Sequence, residues 1–134
     1  MVKNKKSNLG PYAALLLEKD PSRMPNKVLD AAIAHEVLGC QLYWWPYYND
    51  WCCACQDAPH GMDQQCSVVA SYSSYIRLVM QPAAMVGLRV RASDSTRQIA
   101  VRTLRRARQL KARRREERRA RAAAKAAAKL GRAQ

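Results

Sequence analysis

The sequence predicts a mainly α-helical chain with one short strand and a long basic C-terminal helix. Three observations carry that prediction. Residues 95–110, STRQIAVRTLRRARQL, put Ala100, Val101, Leu104, Ala107 and Leu110 at helical spacing, with Arg102, Arg105, Arg106 and Arg108 filling most of the rest. Residues 27–38 repeat the pattern with Val28, Ala31, Ala32, Ala34, Val37 and Leu38. Beyond residue 110 the chain is built almost wholly from Ala, Arg, Lys and Glu, all strong helix formers.

In chain order, residues 1–10 read as an extended basic leader. Residues 11–19 read as a short helix with Pro11 in its first turn, stopped by Pro21. Asn26 suits the cap of the next helix and Gly39 its end. Residues 41–51, QLYWWPYYNDW, are an aromatic run broken by Pro46. Stacking platforms for nucleobases sit in positive grooves, and no Lys or Arg stands beside this run, so it is expected to pack against protein. Asp63 is placed to cap a helix over 64–80, with Cys66, Val69, Ala70, Ser73, Ile76 and Met80 on one face and Gln81 and Pro82 ending it. Residues 85–91, MVGLRVR, alternate Leu88 and Val90 with Arg89 and Arg91, which is the period of a strand. A lone strand cannot satisfy its own backbone groups, so it is expected to join a sheet elsewhere or in a partner. Ser95 and Gln98 have capping-box spacing for the arginine-rich helix. The expected organisation is an N-terminal extension (1–51), a core (52–110) and a basic helical extension (111–134).

Charge divides the chain. Residues 1–86 hold seven basic and seven acidic side chains, whereas residues 87–134 hold 17 basic and three acidic, the whole of the net +14. Such asymmetry points to a polyanion, and first to nucleic acid. No apolar run is long enough for a membrane span. There is no nucleophile with a base at recognisable spacing and no phosphate loop, and only two histidines. No enzymatic activity and no small-molecule substrate are expected.

The cysteines leave several readings open. Cys52, Cys55, His60 and Cys66 offer four ligands within 15 residues, and a Cys3His set with a tight Cys-x2-Cys end suits tetrahedral Zn. An iron–sulfur cluster, disulfides and free thiols are the alternatives. His35 reads as an ordinary helix residue.

Two close cysteines, Met62-Asp63, an amphipathic helix, a strand with arginines, and a last helix reading LRRAR follow one another in this order. That order resembles the bacterial-type small-subunit ribosomal protein number eighteen family, over residues 52–110. Thr103-Leu104-Arg105-Arg106-Ala107-Arg108 is similar to the family's Ala-Ile-Lys-Arg-Ala-Arg, while Gly87 stands where the family's strand has Pro. The resemblance implies a structural constituent of the small ribosomal subunit, the strand adding to the sheet of neighbouring protein number six and the arginine helix lying on small-subunit rRNA. Long extensions with a cysteine pair imply a mitochondrial version, in the matrix. Family members also hold metal through a Cys-x2-Cys at this place. Arg89, Arg91, Arg97, Arg102, Arg105, Arg106 and Arg108 would contact RNA phosphates, with Arg113, Arg114, Arg115, Arg118 and Arg119 extending the contact. Two other readings stand beside it: a zinc-knuckle RNA-processing factor, and a cysteine-rich assembly protein of a mitochondrial respiratory complex.

Overall fold

A computed structural model describes residues 9–54 and 66–132. Two short 3-10 segments (Ala13–Leu17 and Pro21–Arg23) lead into helix α1 (Asn26–Glu36). Strands β1 (Gln41–Trp45), β2 (Asp50–Ala54) and β3 (Cys66–Val68) follow, then helices α2 (Ile76–Met85) and α3 (Thr96–Arg132). The chain is mainly helical and ends in a long basic helix, as the periodicity predicts.

α1 lies at the centre. All of residues 28–34 are buried, including Leu29, Ile33 and three alanines that let neighbouring elements approach closely. α3 closes one side of it with Ile99, Ala100, Val101, Thr103 and Leu104, and α2 adds Val79, Pro82 and Ala83. The capping box forms as expected. Gln98 N–H donates to Ser95 Oγ at 3.1 Å and Ser95 N–H to Gln98 Oε1 at 2.8 Å. Gly39, at φ +70°, turns the chain after α1, and Cys40 N–H returns to the Ala34 carbonyl. Asn26 is not a cap, however. It is the first helical residue, and its amide oxygen accepts from Arg97 instead.

The aromatic run is a β-hairpin. β1 and β2 pair antiparallel with Trp44 opposite Trp51, and β3 adds to β2 in the order β1-β2-β3. Trp51 is 1% exposed, and its indole N–H donates to the Leu9 carbonyl at 3.0 Å. Trp44 meets it edge-on at 5.1 Å, and Tyr12 meets Trp44 at 5.5 Å. Full burial of a side chain the size of Leu or Phe contributes about 1.5–3 kcal/mol, so Trp51 ties the hairpin firmly to the body. Gly10 makes this closure possible. Its φ is +78°, and a Cβ there would lie 2.2 Å from the Trp44 ring.

Two predicted elements are replaced. The helix over 64–80 does not form. Its start lies outside the described residues, residues 66–68 are β3, and helix begins only at Ile76. Val68 and Val69 are β-branched, and β2 offers their segment a paired edge. The serines at 71, 73 and 74 then favour a turn over a helix interior, and Asp30 holds that turn by accepting from Ser73 N–H at 2.7 Å. The strand over 85–91 is absent as well. Met85 ends α2, which contains Pro82, and Gly87 at φ +67° turns the chain. The predicted alternation survives without a sheet: Leu88 and Val90 pack on the core, and Arg89 and Arg91 are exposed. The backbone partners come from the chain itself. Leu88 N–H donates to the Ala83 carbonyl, the Arg89 carbonyl accepts from Arg102, and Arg91 N–H donates to Asp94.

Burial pushes the Asp30 carboxyl above its ordinary value of 3.8, and the Ser73 N–H only partly opposes this. An acid whose pKa rises on folding favours the folded state while protonated, and that advantage is lost as pH rises through the folded-state pKa. Asp30→Asn keeps an acceptor for Ser73 and removes the buried charge. Urea denaturation should find this variant at least as stable as the parent at pH 7, with a flatter stability profile from about pH 4 upward. A loss of about 2 kcal/mol at pH 7 would show that the ionised carboxylate is required.

Candidate nucleic-acid interface

The arginines of α3 divide into two sets. The first faces the chain itself. Arg97 donates to the carbonyls of Ser22 and Met24 at 3.1 and 2.7 Å and to the Asn26 amide oxygen. Arg105 pairs with Asp20 at 3.2 Å. Arg108 grips the Glu36 carboxylate with Nε and Nη2, both at 3.0 Å, and also donates to the carbonyls of Glu18 and Leu16. Glu36 aside, the partners run backwards from Arg97 to Arg108, from residue 26 to residue 16. This arginine ladder fastens the proline-interrupted N-terminal segment along α3. That segment has few regular hydrogen bonds of its own, and guanidinium forks supply the donors its carbonyls lack. Hydrogen bonds from Ser22, with Arg105 beside it, hold the Asp20 carboxyl below its ordinary range. Arg102 is engaged too, with Asp94 at 2.8 Å and the Arg89 carbonyl. Arg97, Arg102, Arg105 and Arg108, expected as phosphate ligands, thus also fasten the fold.

Arg91, Arg97, Arg102 and Arg105 also line an open cleft of about 590 Å³ at the start of α3. Arg89 and Arg91 are exposed, and Arg106 is half-buried on the outward side of the helix.

The second set lies beyond residue 110. Every residue over 111–132 is exposed, in one continuous helix. The arm carries ten basic and two acidic side chains. At about 100° per residue, nine of the ten cations fall in one sector. Lys111, Arg114, Arg118, Arg121, Lys125, Lys129 and Arg132 follow one another at steps of three or four, flanked by Arg115 and Arg119. The other side holds Ala112, Arg113, Glu116, Ala120, Ala123, Ala124 and Ala127. Of the candidates read from the sequence, Arg114, Arg115, Arg118 and Arg119 belong to the stripe and Arg113 does not. Lys111, Arg121, Lys125, Lys129 and Arg132 share the stripe and were not among those candidates. Their common spacing was the signal that could have found them.

The proposed metal set is not brought together by described residues. Cys52 is buried in β2, opposite Tyr43 and Val68, and the Cys66 backbone pairs with Ala54. Cys55 and His60 lie outside the described residues. The tip of the β1–β2 hairpin exposes Trp45, Tyr47 and Tyr48 in edge-on contacts at 4.9 and 5.0 Å, while Trp44 and Trp51 turn inward. No described helix is long and apolar enough to cross a membrane. No protein-family model, no curated protein and no solved structure matches the chain.

The ladder makes a direct prediction. Arg108→Ala removes four partly buried charge-assisted bonds and should cost about 2 kcal/mol in chemical denaturation. Arg106→Ala, which removes no such bond among the described residues, should stay within about 0.5 kcal/mol of the parent. Equal effects would mean that Arg108 does not fasten the fold.

Proposed function

We propose that this protein is a structural RNA-binding component of a ribonucleoprotein particle, with no catalytic role. The resemblance of its last helix suggests the small ribosomal subunit as that particle. The observation that supports the reading is the arm itself. It is 22 residues of continuous helix, wholly exposed, with eight more positive than negative charges.

The arm has little reason to exist alone. Its cations stand at i and i+4 in Arg114/Arg118, Arg121/Lys125 and Lys125/Lys129. Each such like-charge pair weakens an isolated helix by about 0.2–0.5 kcal/mol. Alanine supplies helix propensity but buries almost no apolar surface. A polyanion laid along the stripe removes the repulsion and adds charge-assisted bonds, so binding and helix stability reinforce each other. Arginine outnumbers lysine seven to three here, and its planar fork suits phosphate and base faces. The body holds the stem of the arm rigid. Because Arg97, Arg102, Arg105 and Arg108 are committed within the fold, the electrostatic footprint is carried by the arm, with Arg89, Arg91 and Arg106 beside it. The resemblance also implied strand addition to a neighbouring protein; residues 85–91 form no strand, and that contact is not part of this proposal.

Filter binding of a structured RNA to the full chain and to a chain ending at residue 110 tests this reading. The full chain should lose affinity with salt at a log–log slope of about −5 to −8, as six to nine phosphates are neutralised. The shortened chain should bind about a hundredfold more weakly at 0.1 M salt, with an unchanged body. Equal affinity of the two chains, or binding indifferent to salt, would overturn the proposal.

A further inference from the structure

The cationic stripe is not the continuation of the outward face of α3. It continues the face that the body buries. Ala100 and Leu104 are fully buried against the body, and Ala107 is half-buried. The next positions on the same seam, again at steps of three or four, are Lys111, Arg114, Arg118, Arg121 and Lys125. On the opposite side Arg102, Arg106 and Arg113 give way to Glu116, Ala120, Ala124 and Ala127. One seam is thus apolar where protein covers it and cationic where protein ends.

From this phase, and resting on the RNA-binding reading above, we propose that the arm binds a double-stranded RNA segment in the angle between α3 and the body, on the body side of the helix. The outward side of the arm, alanine and glutamate, stays in solvent. Three features favour a duplex over a flexible strand. The arm is one unbroken helix about 33 Å long, and its cations recur about every 5 Å along one line. A rigid duplex presents phosphates in fixed rows that such a line can meet without ordering the ligand, whereas a single strand must lose conformational freedom to follow it. The exposed aromatics that would stack unpaired bases sit on the β1–β2 hairpin and at Tyr12 and Tyr75, and none is on the arm. The charge is also one-sided. The A-form major groove is too deep and narrow to be read by side chains, so a helix on duplex RNA touches backbone across its surface from one side. Cations gathered in one sector, with small residues opposite, match that contact.

A charge-conserving exchange separates the inference from the reading beneath it. In one variant Arg114, Arg118, Arg121 and Lys125 become Ala, while Ala112, Ala120 and Ala123 become Arg and Ala127 becomes Lys. Net charge and composition are unchanged, and circular dichroism confirms that the helix remains. Fluorescence anisotropy at fixed salt then compares a 20-base-pair RNA duplex, its single strand and the DNA duplex of the same sequence. The parent should bind the RNA duplex at least about threefold more tightly than either alternative, and the exchanged variant should lose about tenfold or more on the duplex. An exchanged variant that binds the duplex as well as the parent overturns the body-side placement. A parent that prefers the single strand or the DNA duplex overturns the choice of ligand. A parent that binds none of the three overturns the RNA-binding reading itself.

Discussion

The hold of Arg97, Arg105 and Arg108 on residues 16–26 is the contact on which the rest of the molecule depends. The core is small and its central helix is rich in alanine, so burial alone leaves α3 with few large partners. The ladder adds what the core lacks. It ties α3 to a segment far away in sequence, satisfies carbonyls that no regular structure reaches, and fixes the angle at which the helix leaves the body. The bidentate Arg108–Glu36 pair is the last clasp before the arm begins, with both side chains about three-quarters buried or more (24% and 19% exposed). From residue 111 to residue 132 the same helix is exposed, and its chemistry changes within one turn.

That change explains why one helix carries so many arginines for two different purposes. Within the body, guanidinium forks bind carbonyls and carboxylates. In the arm they are left in water at mutually repelling spacing. The first use stabilises the fold; the second costs helix stability until an anion arrives. A bound anion relieves that repulsion, which couples binding to the stability of the helix.

Much of this was legible in the residues. The capping box of Ser95 and Gln98 marked the start of α3, the periodicity of residues 27–38 marked α1, and the alternation of Leu88 and Val90 correctly separated buried from exposed side chains. The alternation was misread as a strand because period two describes any extended segment lying on a core; Pro82 and Gly87 decide that the chain turns instead. The three-stranded sheet was hidden for another reason. Its strands are short, and the helical periodicity of 66–80 competed with the β-branched pair at 68 and 69. Burial of Leu42, Trp51, Cys52 and Cys53, with the Trp51 indole held by Leu9, anchors the hairpin. The roles of Arg97, Arg105 and Arg108 were beyond reach as well, since their partners lie 71 to 92 residues away in the chain. Composition marks these arginines as RNA ligands, and geometry adds a role in the fold.

Site-specific photocrosslinking tests the central claim most directly. Benzoylphenylalanine is placed at Ala122, which lies within the cationic sector, or at Ala124, on the opposite side, and the chain is irradiated with labelled duplex RNA. Strong crosslinking from position 122 and little from 124 is the result expected if RNA lies along the body side of the arm. Equal crosslinking from both, or stronger crosslinking from 124, would show that the RNA does not follow that seam.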